Sequence, residues 1–258
     1  MINADRITFR YEKQPPLFQH FSWQVDKGHT WVIIGPSGCG KSTMLYLMAG
    51  LQQPEEGSIL INGKPVTTPR PQTGLILQDY GLLPWASVRQ NVELGLNLRK
   101  FYGPDGKHAP IETIPGERKA VVDAWLQRLG IIEISEKFPG QISGGQRQRT
   151  AIARTLVLEP DLLLMDEPFA SLDTPTREDL QQLVRTLAKE KPLTTVLVTH
   201  TIDEALFLGE KILVLHNGTN HAPLILENEF TGQLTPRNDS AYQGLTSLIR
   251  EELKGSPA

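Results

Sequence analysis

The sequence has almost no cysteine, little net charge and no long hydrophobic run, and each of these excludes a class of protein. The one cysteine, Cys39, leaves no possible intrachain disulfide, so we expect the chain to work in a reducing compartment. The formal net charge of −3 lacks the basic excess of nucleic-acid-binding domains, so we expect no nucleic-acid partner. The apolar runs are shorter than the roughly 18 residues of a membrane span, so any membrane role must come through a partner protein.

The opening residues MINADR lack the basic and then apolar pattern of a secretory signal, and this favours a cytosolic location. The sequence shows no internal repeat and no low-complexity segment. With 258 residues, of which 39% are hydrophobic and 21% are charged, the composition is typical of a globular protein. A chain of this length can form one α/β core with a smaller lobe beside it.

A glycine-rich loop at residues 35–42, GPSGCGKS, is the most informative segment of the chain. It follows a β-branched run at residues 30–34, which predicts a buried strand, and precedes residues 43–49, which predict a helix. The glycines allow successive backbone N–H groups to point into one concavity, and the helix N-terminus favours an anion there. Lys41 would then reach the β- and γ-phosphates of a nucleotide, and the Ser42 hydroxyl would bind Mg²⁺.

The segments around this loop predict a small antiparallel β lobe. Residues 6–11 and 19–25 alternate polar and apolar side chains, as half-buried strands do. Residues 57–63 predict a third strand that ends in Asn-Gly, a strong hairpin signal. Tyr11 ends the first strand, where its ring can either stack on a nucleotide base or simply pack, and the fragment alone favours packing.

Residues 74–77 predict a buried strand that leads into Gln78. The Gln78 carbonyl oxygen can coordinate Mg²⁺ or be solvated at the strand end, and the residue alone favours solvation. Residues 79–98 then carry large apolar side chains without one helical face, which predicts either a satellite hydrophobic cluster or an exposed docking surface. Residues 101–115 predict a loop, and residues 117–129 predict an amphipathic helix with Val121, Val122, Trp125 and Leu129 on its apolar face.

Two later strands end in side chains that can act on a phosphate. Residues 160–165 lead into Asp166 and Glu167, and residues 194–199 lead into His200. Ligands of α/β proteins bind at the carboxyl ends of such strands. Asp166 would hold Mg²⁺ through its water shell, Glu167 would be the base for an attacking water, and His200 would donate to a γ-phosphate oxygen.

The sequence Ser143-Gly144-Gly145-Gln146 opens a further helix. Ser143 and Gln146 have the spacing of a capping box, which by itself explains these two residues. The two glycines each cost roughly 1 kcal/mol of helix stability unless a backbone must approach closely. Bare glycines at a capped helix start predict a second anion site, which a protein with one bound nucleotide does not obviously need.

Taken together, these segments resemble the ATP-binding subunit of an ABC transporter. The matching motifs follow that family's order over about residues 2–218: the aromatic Tyr11, the Walker A loop at 35–42, the Q-loop residue Gln78, the signature at 143–146, the Walker B strand at 162–166, the glutamate Glu167, the D-loop at 171–173 and the switch histidine His200. The one small departure is Ile142, where the family usually has leucine.

The resemblance implies a P-loop NTPase fold of the α/β class, with a mainly parallel sheet, a small antiparallel β lobe and a helical signature subdomain at about residues 80–157. The ATPase domain would span 1–220, and 221–258 would form a C-terminal loop and helix. ATP would be contacted by Tyr11, Gly35, Pro36, Ser37, Gly38, Cys39, Gly40, Lys41, Ser42, Thr43, Gln78, Ser143, Gly144, Gly145, Gln146 and Asp173. Mg²⁺ would be contacted by Ser42, Gln78 and Asp166, and catalysis would rest on Glu167, His200 and Lys41.

The resemblance also implies a head-to-tail homodimer with two ATP molecules, each held between the Walker A loop of one subunit and the signature of the other. The partners would be an integral membrane permease and, through it, an extracytoplasmic substrate-binding protein. The chain itself would lie at the cytoplasmic face of the inner membrane. Residues 78–92 are similar to those of importers for nitrate, taurine or alkanesulfonates and would accept the permease's coupling helix. The alternatives are an importer of thiamine precursors or another small solute, the energising subunit of an exporter, or a soluble ABC ATPase of nucleic-acid metabolism.

Cys39 lies inside the phosphate loop beside a predicted helix N-terminus, a position that favours the thiolate. We therefore expect alkylation of Cys39 to block ATP hydrolysis, and ATP to protect the residue.

Overall fold

A computed structural model describes residues 1–101, 115–190, 193–233 and 239–254. The strands are β1 (Ile2–Phe9), β2 (Phe18–Val25), β3 (Thr30–Ile34), β4 (Glu56–Ile61), β5 (Lys64–Pro65), β6 (Thr73–Ile76), β7 (Leu162–Asp166), β8 (Thr194–Thr199), β9 (Lys211–Val214) and β10 (Leu224–Glu227). The helices are α1 (Lys41–Ala49), α2 (Val88–Phe101), α3 (Pro115–Arg128), α4 (Gly144–Leu156), α5 (Thr174–Glu190), α6 (Ile202–Leu208) and α7 (Ser240–Lys254). None of the described helices has both the length and the apolar character needed to cross a membrane.

The predicted β lobe is a four-stranded antiparallel sheet in the order β2-β1-β4-β5. Its hairpin turn is Asn62-Gly63, where both residues have positive φ, at 51° and 75°. The predicted bounds of the first strand were wrong, because β1 begins at Ile2 and ends before Tyr11. The pairing of β1 with β2 shifts register twice, and Arg6 has a φ of 45°, so irregular pairing interrupts the alternation on which the prediction depended.

The predicted nucleotide core is a six-stranded sheet in the order β10-β9-β3-β8-β7-β6. All neighbours are parallel except β10, which is antiparallel to β9. Every residue of β7 and β8 is buried, as expected for parallel strands that are covered on both faces. The parallel arrangement brings the carboxyl ends of β3, β7 and β8 to one edge of the sheet.

Helices α2, α3 and α4 form the predicted helical region, and α2 and α3 both contact α4. Within the segment 79–98, Val88 and Val92 are fully buried, so part of the predicted cluster belongs to the core. The predicted apolar face of α3 was partly wrong, since Val121 is exposed and Leu126 is buried with Val122. Most of the predicted loop at 101–115 lies outside the described residues.

The C-terminal segment contributes to the main sheet and to its cover. Strand β10 pairs with β9, and α7 contacts α6 and β9. Tyr242 and Ile249 of α7 are buried, so one face of this helix packs against the rest of the chain. The division at residue 220 remains a prediction.

Candidate active site

The phosphate loop runs from the end of β3 to the start of α1, and two of its glycines leave no space for a side chain. A Cβ atom on Gly35 would lie 2.7 Å from the carbonyl oxygen of Leu215. A Cβ atom on Gly40 would lie 2.9 Å from the Phe18 ring, and Gly40 has a φ of 105°. These two glycines let the loop pass between the main sheet and the β lobe.

The loop forms one wall of a cavity of about 520 Å³. The other predicted residues that line it are Tyr11, from the β lobe, Thr43, in the first turn of α1, and Glu167, which follows β7. The complete lining is Tyr11, Gln14, Leu17, Ser37, Gly38, Gly40, Lys41, Ser42, Thr43 and Glu167. A volume of this size suits a small-molecule ligand.

Lys41 is buried and bends back over the loop. Its Nζ donates hydrogen bonds to the carbonyl oxygens of Gly35 at 2.8 Å and Pro36 at 2.9 Å. The two carbonyl groups hold the ammonium group at the cavity wall, where a phosphate oxygen can accept from its remaining N–H.

Asp166 lies at the end of β7 beside the first turn of α1. The Ser42 hydroxyl donates to its Oδ1 at 2.9 Å, and the Tyr46 hydroxyl donates to its Oδ2 at 3.4 Å. Burial raises the pKa of Asp166 and the negative charge of Glu167 raises it further, while the hydroxyl hydrogen bonds oppose both effects. A cation bound here would favour the ionised carboxylate. The hydroxyl and carboxylate oxygens are the hard donors that Mg²⁺ prefers, so these residues fit that ion.

Glu167 and His200 form a pair at the carboxyl ends of β7 and β8. Glu167 Oε2 lies 3.3 Å from His200 Nδ1. The Glu167 backbone has a φ of 44°, which is unfavourable for a residue with a side chain, and its N–H donates to the Val198 carbonyl at 3.1 Å. The surrounding strands therefore hold Glu167 in a strained conformation with its carboxylate at the cavity.

Tyr11 follows β1, and its side chain packs against the protein, which is the alternative that the sequence favoured. Its ring packs edge-on against Phe9 with centroids 5.1 Å apart, and its hydroxyl lies 3.2 Å from Thr43 Oγ1. The residue is still 38% exposed and lines the cavity.

The signature lies outside the lining of this cavity. Ser143 and Gln146 form the predicted capping box, in which the Ser143 hydroxyl accepts from Gln146 N at 3.3 Å. A Cβ atom on Gly145 would overlap the Thr176 methyl group, and one on Gly144 would lie 3.3 Å from Leu172. The close approach of α4 to α5 thus accounts for Gly145 by packing alone. Ser143 itself is exposed.

Gln78 and Asp173 also lie outside the lining of the cavity. Gln78 is exposed just beyond β6. Asp173 precedes α5 and accepts a hydrogen bond from Thr176 N at 3.4 Å. The hydrogen bonds from Thr176 lower the pKa of Asp173, as expected for a carboxylate at a helix N-terminus.

The expected reactivity of Cys39 was wrong. Its side chain is 1% exposed and belongs to the core between the main sheet and the β lobe. Burial raises the pKa of the thiol, and the nearby Lys41 charge only partly opposes this. The sequence shows the helix N-terminus beside Cys39 but not the direction of the side chain.

We therefore expect alkylation of Cys39 by N-ethylmaleimide to be at least roughly 100-fold slower in the folded protein than in urea, because the thiol reacts only after local opening. Mass spectrometry at timed intervals measures both rates. Equal rates in the two conditions would show that the thiol is accessible.

Comparisons with known proteins agree with this geometry. A model of the ABC transporter family matches residues 18–170. The taurine import ATP-binding protein TauB of Pseudomonas aeruginosa is 40% identical over 217 residues, which cover 83% of this chain and 78% of that protein. The uncharacterized ABC transporter ATP-binding protein YtlC of Bacillus subtilis is 36% identical over 98% of this chain and 95% of its own length. The nitrate import ATP-binding protein NrtC of Synechococcus elongatus is 42% identical over 76% of this chain, but the match spans only 28% of NrtC.

Solved structures show the same architecture. A dimeric post-hydrolysis state of the ATP-binding cassette MJ0796, bound to ADP and Pi, superposes with a TM-score of 0.75 at 29% identity. It covers 88% of this chain and 98% of that one. The cbiO1 protein of Clostridium perfringens, part of the ABC transporter complex cbiONQ, superposes with a TM-score of 0.76 at 25% identity and covers 97% of this chain and 98% of its own.

Proposed function

The chain belongs to the ABC transporter family as an ATP-hydrolysing subunit, and from this premise we propose that it energises the import of a small solute. The observation that carries the importer proposal is the similarity to TauB over most of both chains. Nitrate, taurine and aliphatic sulfonates, named for several relatives, are the solutes we propose to test first.

We assign the chemistry of hydrolysis to the residues at the sheet edge. Glu167 accepts the proton of the attacking water, and Lys41 and His200 donate hydrogen bonds to γ-phosphate oxygens as negative charge develops. Ser42 and Asp166, with Gln78, would hold Mg²⁺, which would supply charge neutralisation on the phosphates. Tyr11, which lines the cavity and is partly exposed, stacks on the adenine.

The position of the signature supports a shared site. Ser143 is exposed and lies outside the cavity of its own chain, although its helix N-terminus favours an anion. In a head-to-tail homodimer, Ser143, Gly144, Gly145 and Gln146 of one subunit complete the ATP site of the other. Each dimer then holds two ATP molecules between its subunits, so hydrolysis weakens the interface and reopens it.

The exposed surface near Trp85 is the proposed permease contact. Trp85 is 74% exposed, the highest value among the exposed large hydrophobic residues described. The buried Asn91 side chain holds the loop around it, accepting from Leu83 N at 2.8 Å and donating to the Ala86 carbonyl at 3.0 Å. A rigid loop that presents an aromatic side chain is suited to dock an apolar helix of a membrane subunit. Such a complex places the chain at the cytoplasmic face of the membrane, with a substrate-binding protein on the other side.

The test is affinity purification of the tagged chain from detergent-solubilised native membranes. We expect a multi-span permease in stoichiometric amount, and about tenfold less of it with Trp85→Ala, since aromatic anchors carry much of an interface's binding energy. The matched control is Leu51→Ala, which also truncates an exposed apolar side chain but belongs to a separate segment, just after α1.

Recovery of only soluble proteins or nucleic acid would contradict the importer proposal. If the Trp85→Ala variant recovers as much permease as the wild type, Trp85 is not part of the permease contact. The binding protein encoded beside the permease is then screened by calorimetry with taurine, alkanesulfonates and nitrate to identify the solute.

A further inference from the structure

Tyr80 connects the loop after Gln78 with the loop after Glu167. Its side chain is buried, and its hydroxyl lies 2.6 Å from Ser171 Oγ. Ser171 begins the Ser-Leu-Asp segment before α5. This is a direct side-chain hydrogen bond between these two loops, which lie 91 residues apart in the chain.

Hydrogen bonds fix the backbone of Tyr80 in the turn that follows Gln78. Tyr80 N donates to the Leu77 carbonyl at 3.0 Å and so closes the turn that contains Gln78. Tyr80 has a φ of 66°, a conformation that persists only where the surroundings impose it. Arg154 of α4 imposes it by donating to the carbonyl oxygens of Tyr80 at 2.9 Å and Gly81 at 2.5 Å.

The loop that contains Ser171, between Glu167 and α5, is also held by hydrogen bonds. Ala170 N donates to the Glu167 carbonyl at 3.3 Å, so a tight turn separates Glu167 from Ser171. Leu172, the next residue, is buried, and its carbonyl accepts from Arg177 at 2.7 Å. A displacement of Ser171 would therefore also displace the strained backbone of Glu167, which is only four residues away.

The same hydroxyl lies beside the start of α4. A Cβ atom on Gly144 would be 3.6 Å from the Tyr80 hydroxyl, and the Arg147 guanidinium lies 5.8 Å from the centre of the Tyr80 ring. Tyr80 thus contacts the signature helix as well as the two loops.

We propose that Tyr80 is a positioning residue for ATP hydrolysis, whose hydroxyl sets the place of Ser171 and through it the carboxylate of Glu167. This inference rests on the proposed role of Glu167 as the base, and it does not depend on the solute or on the permease. It implies that the hydroxyl affects the hydrolytic step and leaves ATP binding unchanged, because Tyr80 is not part of the cavity lining.

The test compares Tyr80→Phe, Ser171→Ala and the double variant in the full-length protein. We expect each single variant to lower kcat about three- to tenfold, the range for loss of one neutral hydrogen bond, with KM for ATP unchanged. The double variant should be no slower than the slower single variant, because both remove the same bond. Tyr242→Phe is the matched control, since it removes a buried hydroxyl that donates to Asp203 at 3.4 Å, away from the cavity, and kcat should not change.

A wild-type kcat in Tyr80→Phe would overturn the proposal, as would losses that multiply in the double variant. A fall in kcat that disappears when rates are corrected for the folded fraction, measured by thermal unfolding, would also overturn it. Failure of the Glu167 assignment is detected separately, because it appears as normal hydrolysis by Glu167→Gln.

Discussion

Replacement of Glu167 by glutamine is expected to lower ATP turnover roughly 10²- to 10⁴-fold, the usual contribution of a general base. Glutamine has the shape of glutamate and can keep the contact with His200, which lies 3.3 Å away in the wild type. It cannot take a proton from water at neutral pH. ATP binding should persist, because the phosphate loop is unchanged, and ATP should hold the variant as a stable dimer.

Steady-state hydrolysis, nucleotide binding and size-exclusion chromatography with ATP measure these three effects. The matched control is Glu210→Gln, which alters another carboxylate paired with a histidine, His29, at 2.7 Å. That pair lies before β3 and β9, at the opposite edge of the sheet, so its loss should leave kcat unchanged. Hydrolysis at the normal rate by Glu167→Gln would show that another group is the base.

The part of the site that follows directly from strand order could be predicted from the sequence. Runs rich in apolar and β-branched residues identified the parallel strands, and parallel strands bring Ser42, Asp166 and His200 to one edge. What the sequence could not show was the direction of individual side chains. Cys39 lies in the predicted loop but points into the core, because the loop passes between the sheet and the β lobe.

Contacts between segments distant in the chain also could not be predicted from the sequence. The sequence placed Tyr46 only within the helix that became α1, yet its hydroxyl donates to Asp166. Tyr46 lies four residues after Ser42 and therefore on the same helix face, and this spacing was the signal available in the sequence. The positive φ values of Glu167 and Tyr80 have no sequence signal, since neither residue type favours that conformation. Gly145 seemed to need an anion, whereas the approach of Thr176 already requires a glycine there.

The packing of Gly145 removes one argument for a second anion site, so the shared ATP site needs a test that depends on geometry between subunits. We expect Lys41→Ala and Ser143→Asp each to abolish hydrolysis, and a mixture of the two to recover it. Aspartate keeps the helix cap that Ser143 now provides, so the fold of α4 is retained. Its negative charge would face the γ-phosphate of the other subunit and repel it.

Each mixed dimer pairs the intact Lys41 of one chain with the intact Ser143 of the other in one of its two sites. A one-to-one mixture should therefore recover up to about a quarter of the wild-type rate, since half of randomly formed dimers are mixed. The control mixes Ser143→Asp with a chain that carries both substitutions, where every site is damaged and no activity should return. If Lys41 and Ser143 acted within one chain, the first mixture would be as inactive as this control, because each chain lacks one of the two residues.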